Sequence, residues 1–360
     1  MRLALTHVHC WPDVWRGGER ILHESAAALA RRGHDVTVLS ASTHPGDSVE
    51  DGVRIVRLPR PRGGGLRVEA RFGRRVFPHL LRGRFDVVHS LGPSDAAASI
   101  VAARLGAGHR TVYTNLGYPE RRYWRTRPDW LHHLFVARYV DVYGCMSRYA
   151  AQWLALDFAR VAAWTPGGVR LDRFRPAPRR EEVPTLLYSG ALDEPRKGVA
   201  LLLEAVALLA EREPDVQLWL SGPGDAGPLL DAASAEARGR TTVLAVGRPQ
   251  STDVYGRAWA TVLPATHETF GIVLVESLAS GTPVVGTTHA ALPELVSPDR
   301  GALATPGDAH SLAEACAAAL ALARDPGAAL RCRAAAEFYD WETSLAPRLE
   351  SLYAGDGVAA

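Results

Sequence analysis

The chain reads as an α/β protein of two doubly wound, Rossmann-like domains. Three observations predict this. Short β-branched runs alternate with Ala/Leu-rich amphipathic stretches along the chain, the pattern of βαβ units and a parallel sheet. The length, 360 residues, corresponds to two domains at roughly 150 residues each. A breaker-rich segment near the middle divides the units into two sets.

The elements follow in order. Leu3 to Val8 is a first strand, followed by a loop through Gly18, a helix to about Arg32 and a strand from Asp35 to Ser40. Further strands are expected at Val53 to Leu58, Asp86 to Ser90, Arg110 to Thr114 and Val142 to Cys145, with helical stretches between them. These make an N-terminal domain of residues 1–165. Thr165-Pro166-Gly167-Gly168-Val169 reads as a hinge, and Arg175 to Glu182 as a solvated linker. The second set has strands at Thr185 to Ser189, Val216 to Ser221, Thr242 to Val246, Thr261 to Pro264, Pro283 to Thr287 and Gly301 to Ala304. Its helices are expected at Val199 to Arg212, Thr252 to Trp259, Gly271 to Ser280 and Ser311 to Ala323, in a second domain of residues 166–337. Doubly wound sheets bind ligands beyond the carboxyl ends of their strands, so two such faces at a hinge predict a central cleft.

Composition excludes several classes. With 41 basic and 39 acidic residues the formal net charge is +2, which argues against a surface built to grip nucleic acid. Cys10, Cys145, Cys316 and Cys332 lie far apart without zinc or redox spacing, so neither a disulfide framework nor a structural zinc is expected. A reducing, cytoplasmic compartment is the default for such a chain. His7, His9, His79, His132 and His133 lack metal-ligand spacing, and no metal site is predicted. The N-terminus reads as a strand and not as a signal peptide, and no apolar run approaches the roughly 18 residues that would span a bilayer.

Three loops carry candidate chemistry. Gly17-Gly18 directly precedes a helix, where close backbone approach and a helix N-terminus suit a phosphate; a plain tight turn is the alternative. The dinucleotide fingerprint G-x-G-x-x-G is absent from this loop, which disfavours a nicotinamide enzyme. Gly190 to Gly198 follows the first strand of the second domain and ends in Arg196-Lys197, at the start of the helix beginning near Val199. Cations there oppose the helix dipole unless an anion answers them, so a phosphate or a solvated charge pair is expected. Of the 41 basic residues, Lys197 is the single lysine. In Thr266 to Glu276, Glu268 lies on a loop, Phe270-Gly271-Ile272-Val273 offers backbone N–H groups at a helix start, and Glu276 falls among Leu274, Val275 and Leu278. A carboxylate in such apolar company needs hydrogen bonds, from a ribose diol or from an internal partner.

The Glu268-to-Glu276 spacing resembles the E-x7-E segment of retaining glycosyltransferases with the GT-B fold. The similarity is greatest to the large fourth family, and within it to the phosphatidylinositol mannosyltransferase branch. It extends over nearly the whole chain, through Gly17-Gly18, Pro166-Gly167-Gly168-Val169 with Arg173-Phe174, Arg196-Lys197-Gly198, Ala279 to Val285 and the aromatic tail Phe338-Tyr339-Asp340-Trp341. The resemblance implies a nucleotide-diphosphate sugar as donor substrate, GDP-linked first and UDP-linked second, with no further cofactor. Arg196 and Lys197 would hold the diphosphate with help from Gly17, Gly18 and the Gly190 loop. Glu276 would bind the ribose, Glu268 the transferred sugar, and Phe270, Gly271, Ile272 and Val273 would offer N–H groups. The base would lie near Gly247-Arg248-Pro249. Residues 338–360 would form a C-terminal helix crossing back onto the N-terminal domain, which would face the acceptor.

Two positions depart from the family pattern. A histidine common after the strand ending at Thr114 is missing from Thr114-Asn115-Leu116-Gly117-Tyr118, and an arginine common after Gly190 is Ala191. Thr114, Asn115 and Tyr118 are the remaining acceptor candidates. An acceptor that is already a good nucleophile, such as a thiol, tolerates the lost histidine. A small-molecule acceptor in a specialised biosynthetic route is therefore expected. The alternative is a phosphoinositide-like lipid, suggested by nine arginines against one acid between Arg57 and Arg84, which would give weak contact with an anionic membrane at the inner face. A solvated helix covering the sheet explains the same residues. A catalytically silent nucleotide-sugar-binding protein is the rival from another class.

Overall fold

The computed structural model describes residues 1–14, 17–63, 66–125, 130–244 and 252–356. Two compact units are present, Met1–Gly168 together with the stretch from Trp341 onward, and Val169–Asp340. The boundaries at 168/169 and 340/341 lie three residues beyond the expected 165/166 and 337/338.

The first unit holds eight strands: β1 (Arg2–His7), β2 (Asp35–Ser42), β3 (Gly46–Glu50), β4 (Val53–Pro59), β5 (Val87–Ser90), β6 (Arg110–Asn115), β7 (Val142–Cys145) and β8 (Ala163–Trp164). Their order in the sheet is β3-β4-β2-β1-β5-β6-β7-β8. Every pairing is parallel except β3 with β4. The second unit holds β9 (Thr185–Ser189), β10 (Gln217–Ser221), β11 (Thr241–Val243), β12 (Ala260–Val262), β13 (Val284–Thr287) and β14 (Gly301–Ala304), all parallel, in the order β11-β10-β9-β12-β13-β14. The strand order thus reverses between β1 and β5 in the first sheet and between β9 and β12 in the second. In open α/β sheets this reversal is where ligands bind. The central strands are buried, as with Leu3, Ala4 and Leu5 of β1 or Leu186, Leu187 and Tyr188 of β9, which is why they read as unbroken apolar runs.

Two strands were not anticipated. β3 is a polar edge strand joined to β4 by Asp51-Gly52, both with positive φ, in the two-residue turn that Asp-Gly favours. Its residues alternate without an apolar face, so hydrophobic periodicity misses it. β8 is two residues long.

The arginine-rich segment forms the helix Leu66–Arg82. Its apolar face, Phe72, Val76 and Leu80, is fully buried in the core of the first unit. The helix therefore covers the sheet, and its apolar side chains are not available to enter a lipid surface. Arg60, Arg62, Arg67, Arg71, Arg74, Arg75, Arg82 and Arg84 remain exposed. Among the described residues no helix is long and apolar enough to cross a membrane.

The chain passes between units at two neighbouring points. Val169 and Asp340 form a single β-bridge in the second unit, where the Val169 N–H donates to Tyr339 O at 2.8 Å. From Trp341 the chain belongs to the first unit, as a helical turn Trp341–Leu345 and a helix Ala346–Ala354 instead of one helix from residue 338. The Trp341 indole is buried and donates to Glu24 Oε2 at 3.1 Å. Glu342 pairs with Arg31, and Glu350 with Arg32 at 2.7 Å.

Candidate active site

The reversal between β9 and β12 gathers the charged candidates of the second unit. β9 leads into a loop whose end, Pro195–Lys197, is one turn of 3-10 helix. Gly198 follows with φ 74°, and a Cβ there would lie 2.5 Å from Pro264 O, so only glycine lets this turn close against the loop after β12. The helix Val199–Leu209 begins after that glycine. Arg196 and Lys197 thus stand directly before the helix, which begins at Val199 as the sequence predicts, and carboxylates answer their charge.

Those carboxylates are Glu268 and Glu194. Lys197 Nζ donates to Glu268 Oε2 at 2.5 Å, with the side chains 16% and 13% exposed. Arg196 Nη1 lies 3.9 Å from the same oxygen, and Arg196 Nη2 pairs with Glu194 Oε2 at 2.6 Å. The backbones are stitched as well. The Thr266 N–H donates to Arg196 O at 2.9 Å, and Arg196 Nη1 to His267 O at 3.0 Å. The two loops therefore form one charged block in which cations and carboxylates are already matched.

Glu268 leads through buried Phe270 and through Gly271 into the helix Ile272–Ala279. The Leu274 N–H returns to Gly271 O at 2.9 Å. The N–H groups of Ile272 and Val273 stand in the first helical turn, which has no intrahelical acceptors for them, at the positive end of the helix dipole.

Glu276, on the same helix, is 2% exposed. Its Oε2 accepts from the Tyr255 hydroxyl at 2.5 Å, and that hydroxyl lies 2.9 Å from Ser189 Oγ at the end of β9. Tyr255 is fixed in turn by Thr282 Oγ1, which donates to Tyr255 O at 2.7 Å, and by the edge of Phe174 at 5.8 Å. Tyr255 and Ser189 were not among the sequence candidates. A tyrosine 21 positions before a carboxylate carries no local signal; only the fold brings the two together.

Gly190 closes β9. Its N–H donates to Ser221 O at 2.9 Å, and its carbonyl lies so near Gly222 that a Cβ on Gly222 would stand 1.8 Å away. Tyr188, beneath this turn, donates to Ala191 O at 2.7 Å, and burial pushes its hydroxyl well up from the ordinary tyrosine range. Arg248, with its neighbours Gly247 and Pro249, lies outside the described residues.

The candidates of the first unit are placed differently. Gly17 and Gly18 open the helix Gly17–Arg31, and a Cβ on Gly18 would stand 2.7 Å from the Leu116 side chain. Thr114 and Asn115, expected to face an acceptor, are buried and engaged within the unit. Thr114 Oγ1 lies 2.8 Å from His89 Nε2 and 3.0 Å from Thr165 Oγ1. Asn115 Nδ2 donates to the Tyr143 hydroxyl at 2.9 Å, and its Oδ1 accepts the Gly117 N–H at 2.8 Å. A ligand reaching either side chain has to displace these partners. Tyr118 packs its edge against Tyr149 at 5.7 Å.

Two further features bear on chemistry. Cys10, Cys145, Cys316 and Cys332 are free and buried, and burial pushes the last three up to about 12, so these three stay thiols. Among the described residues, no three His, Cys, Asp or Glu side chains gather as metal ligands.

Comparison with known proteins matches this geometry. Residues 15–173 match the family model "Glycosyltransferase Family 4", and residues 183–321 the model "Glycosyl transferases group 1". The chain is 34% identical over 299 residues to a phosphatidyl-myo-inositol mannosyltransferase of Mycobacterium tuberculosis, covering 76% of this chain and 75% of that one. It is 30% identical over 373 residues to that of Mycolicibacterium smegmatis, covering 96% and 92%. Sucrose-phosphate synthase from Thermosynechococcus elongatus shares the fold at a TM-score of 0.78 and 21% identity, over 98% of each chain. Two sheets whose strand order reverses beside their first strand carry these residues, and the chain belongs to the glycosyltransferases as a GT-B glycosyltransferase of family 4, close to the phosphatidylinositol mannosyltransferase branch.

Proposed function

We propose that the chain transfers a sugar, with retention and without a metal, from a nucleotide-diphosphate sugar to a small-molecule acceptor. A GDP-sugar is the first choice of donor and a UDP-sugar the second. The observation that carries this reading is the block of Arg196, Lys197 and Glu268 at the β9/β12 reversal, directly before the helix Ile272–Ala279. Sugar transfer breaks the bond from the anomeric carbon to the diphosphate oxygen and forms one to the acceptor atom. Negative charge grows on the departing phosphate. A guanidinium, an ammonium and helix N–H groups fixed beforehand stabilise charge where it develops, and this is usually the largest catalytic contribution. The departing phosphate oxygen takes the acceptor's proton on the same face, so no strong protein base is required. In this reading Glu276 accepts from the ribose hydroxyls, with Tyr255 holding its second oxygen, and Glu268 contacts the transferred sugar. The Gly17-Gly18 helix start and the Gly190 turn are further donor-side elements. Arg248 is proposed for the base from the family pattern alone.

Val112 to Tyr118 contains no histidine, and a thiol or another ready nucleophile is an acceptor that needs none. Replacing Lys197→Ala or Glu268→Ala should each lower turnover by more than about tenfold while leaving the fold intact, measured as product formed from a panel of nucleotide sugars. Full activity in both variants overturns the assignment.

The exposed arginines around the Leu66–Arg82 helix and the inositol-lipid names of the mannosyltransferase relatives favour a second acceptor, a phosphoinositide-like lipid reached at an anionic surface. Sedimentation with anionic vesicles separates the two: protein that stays in the supernatant at low salt removes the lipid reading.

A further inference from the structure

We propose that the first unit seats its acceptor against an aromatic wall of Tyr118, Tyr149 and Trp153, and that the acceptor carries a flat ring; this rests on the reading of the chain as a transferase to a small molecule. The wall stands at the carboxyl ends of adjacent strands. Tyr118 follows the end of β6, on a turn fixed by the Gly117 N–H on Asn115 Oδ1 at 2.8 Å. Tyr149 lies in the first turn of the helix Arg148–Phe158, which follows β7 and is capped by Ser147 Oγ accepting from the Ala150 N–H at 3.1 Å. The rings meet edge to face, Tyr118 with Tyr149 at 5.7 Å and Tyr149 with Trp153 at 6.3 Å. All three are partly exposed. Tyr149, Trp153 and Leu156, the last 76% exposed, recur at helical spacing on a stripe apart from Ala150 and Leu154, which the same helix buries.

Two observations tie this wall to a ligand. The loop that carries Tyr118 also carries Leu116, and Gly18 approaches Leu116 so closely that a Cβ on the glycine would stand 2.7 Å from that side chain. The loop after β6 thus reaches the helix that follows β1, past the end of β5, which lies between the two strands in the sheet. It borders the β1/β5 reversal, where a doubly wound sheet receives its ligand. The polar groups beneath are engaged with neighbours, Thr114 with His89 and Thr165, Asn115 with Tyr143 and Gly117. The partly exposed side chains beside them, Leu116 and the three rings, are apolar or aromatic. A ring-bearing acceptor extends an edge-to-face ladder and buries its own apolar area, whereas a polyol meets Thr114 and Asn115 already occupied.

The test is steady-state kinetics of the whole protein at saturating sugar nucleotide, chosen between GDP-mannose and UDP-glucose by calorimetric titration. Acceptors are offered in pairs that share a reacting group: thiophenol with mercaptoethanol, and nitrophenyl glucoside with methyl glucoside. The ring-bearing member of a pair should show a KM about tenfold lower. Tyr149→Leu and Trp153→Leu should each raise that KM several-fold and leave the KM for the sugar nucleotide and for the partner acceptor unchanged. Tyr149→Phe and Trp153→Phe, which keep a ring, should retain the wild-type values. Equal KM within both pairs, or a ring advantage that survives both leucine variants, overturns the wall and leaves the donor reading standing. So does a protein that binds its sugar nucleotide and transfers to none of these acceptors. The comparison within pairs uses the wild type alone, so it decides even where a leucine variant fails to fold. A wild type that binds neither nucleotide overturns the donor reading and the wall together.

Discussion

The two sheets place equivalent strand ends at their reversals and fill them with opposite chemistry. Between β1 and β5 stand Thr6, Ser90 and Asp95. Thr6 Oγ1 donates to Asp95 Oδ2 at 2.5 Å and lies 2.8 Å from Ser90 Oγ, and all three residues are buried. Next to them, on the same sheet, His89 sits between the Tyr353 hydroxyl at 2.7 Å and Thr114 at 2.8 Å. These polar groups look inward and satisfy one another. Between β9 and β12 the charged groups stand on loops, partly exposed, as ion pairs of Arg196 and Lys197 with Glu268. Equivalent reversals thus hold buried neutral hydrogen bonds in one unit and partly exposed ion pairs in the other. Position in the fold marks where a site can be, and side-chain chemistry decides whether there is one.

Two substitutions sharpen this contrast. The larger effect is expected at Asp95. Burial, reinforced by Glu69, raises its carboxyl to about 7. Its folded value is above the unfolded one near 3.8, so its contribution is fully present below about pH 4 and is lost as pH rises toward 7. Asp95→Asn stays neutral throughout. Between pH 5 and pH 8 its stability should gain on the wild type by about 3 kcal/mol, read from urea unfolding midpoints, with nucleotide affinity unchanged. A difference that does not vary with pH refutes the assignment. His89, which burial lowers to about 4, acts in the opposite sense, losing stability as pH falls from 6.5 toward 4. It is common to both proteins and cancels in the comparison. The smaller effect is expected at Tyr255. Tyr255→Phe removes the hydroxyl from Glu276 and should weaken sugar-nucleotide binding by about tenfold, with about 1–2 kcal/mol lost in stability. Equal nucleotide affinity in the variant would show that Tyr255 has no part in holding the donor.

Much of the fold was legible because buried parallel strands leave long apolar runs and their helices leave 3.6-residue periodicity. What escaped lacks those marks: polar β3, the two-residue β8, and the chain crossings displaced by three residues. At the site, Lys197, Arg196, Glu268 and Glu276 were each visible from local context, as charges at loop-to-helix transitions. Their partners were not. Lys197 and Glu268 are 71 positions apart, and Thr6 and Asp95 are 89 apart, so neither pair leaves a periodic trace. The expectation that Thr114 and Asn115 are open to an acceptor came from motif position, which says nothing about which buried neighbours occupy a hydroxyl or an amide.

The path of the chain has a consequence for its biosynthesis. The first unit buries Trp341 and Tyr353, which leave the ribosome only after all of Val169–Asp340 has been made. Domains generally fold in the order of their synthesis. Here the unit begun first has its core filled only after the second unit has been made, when Trp341 and Tyr353 emerge.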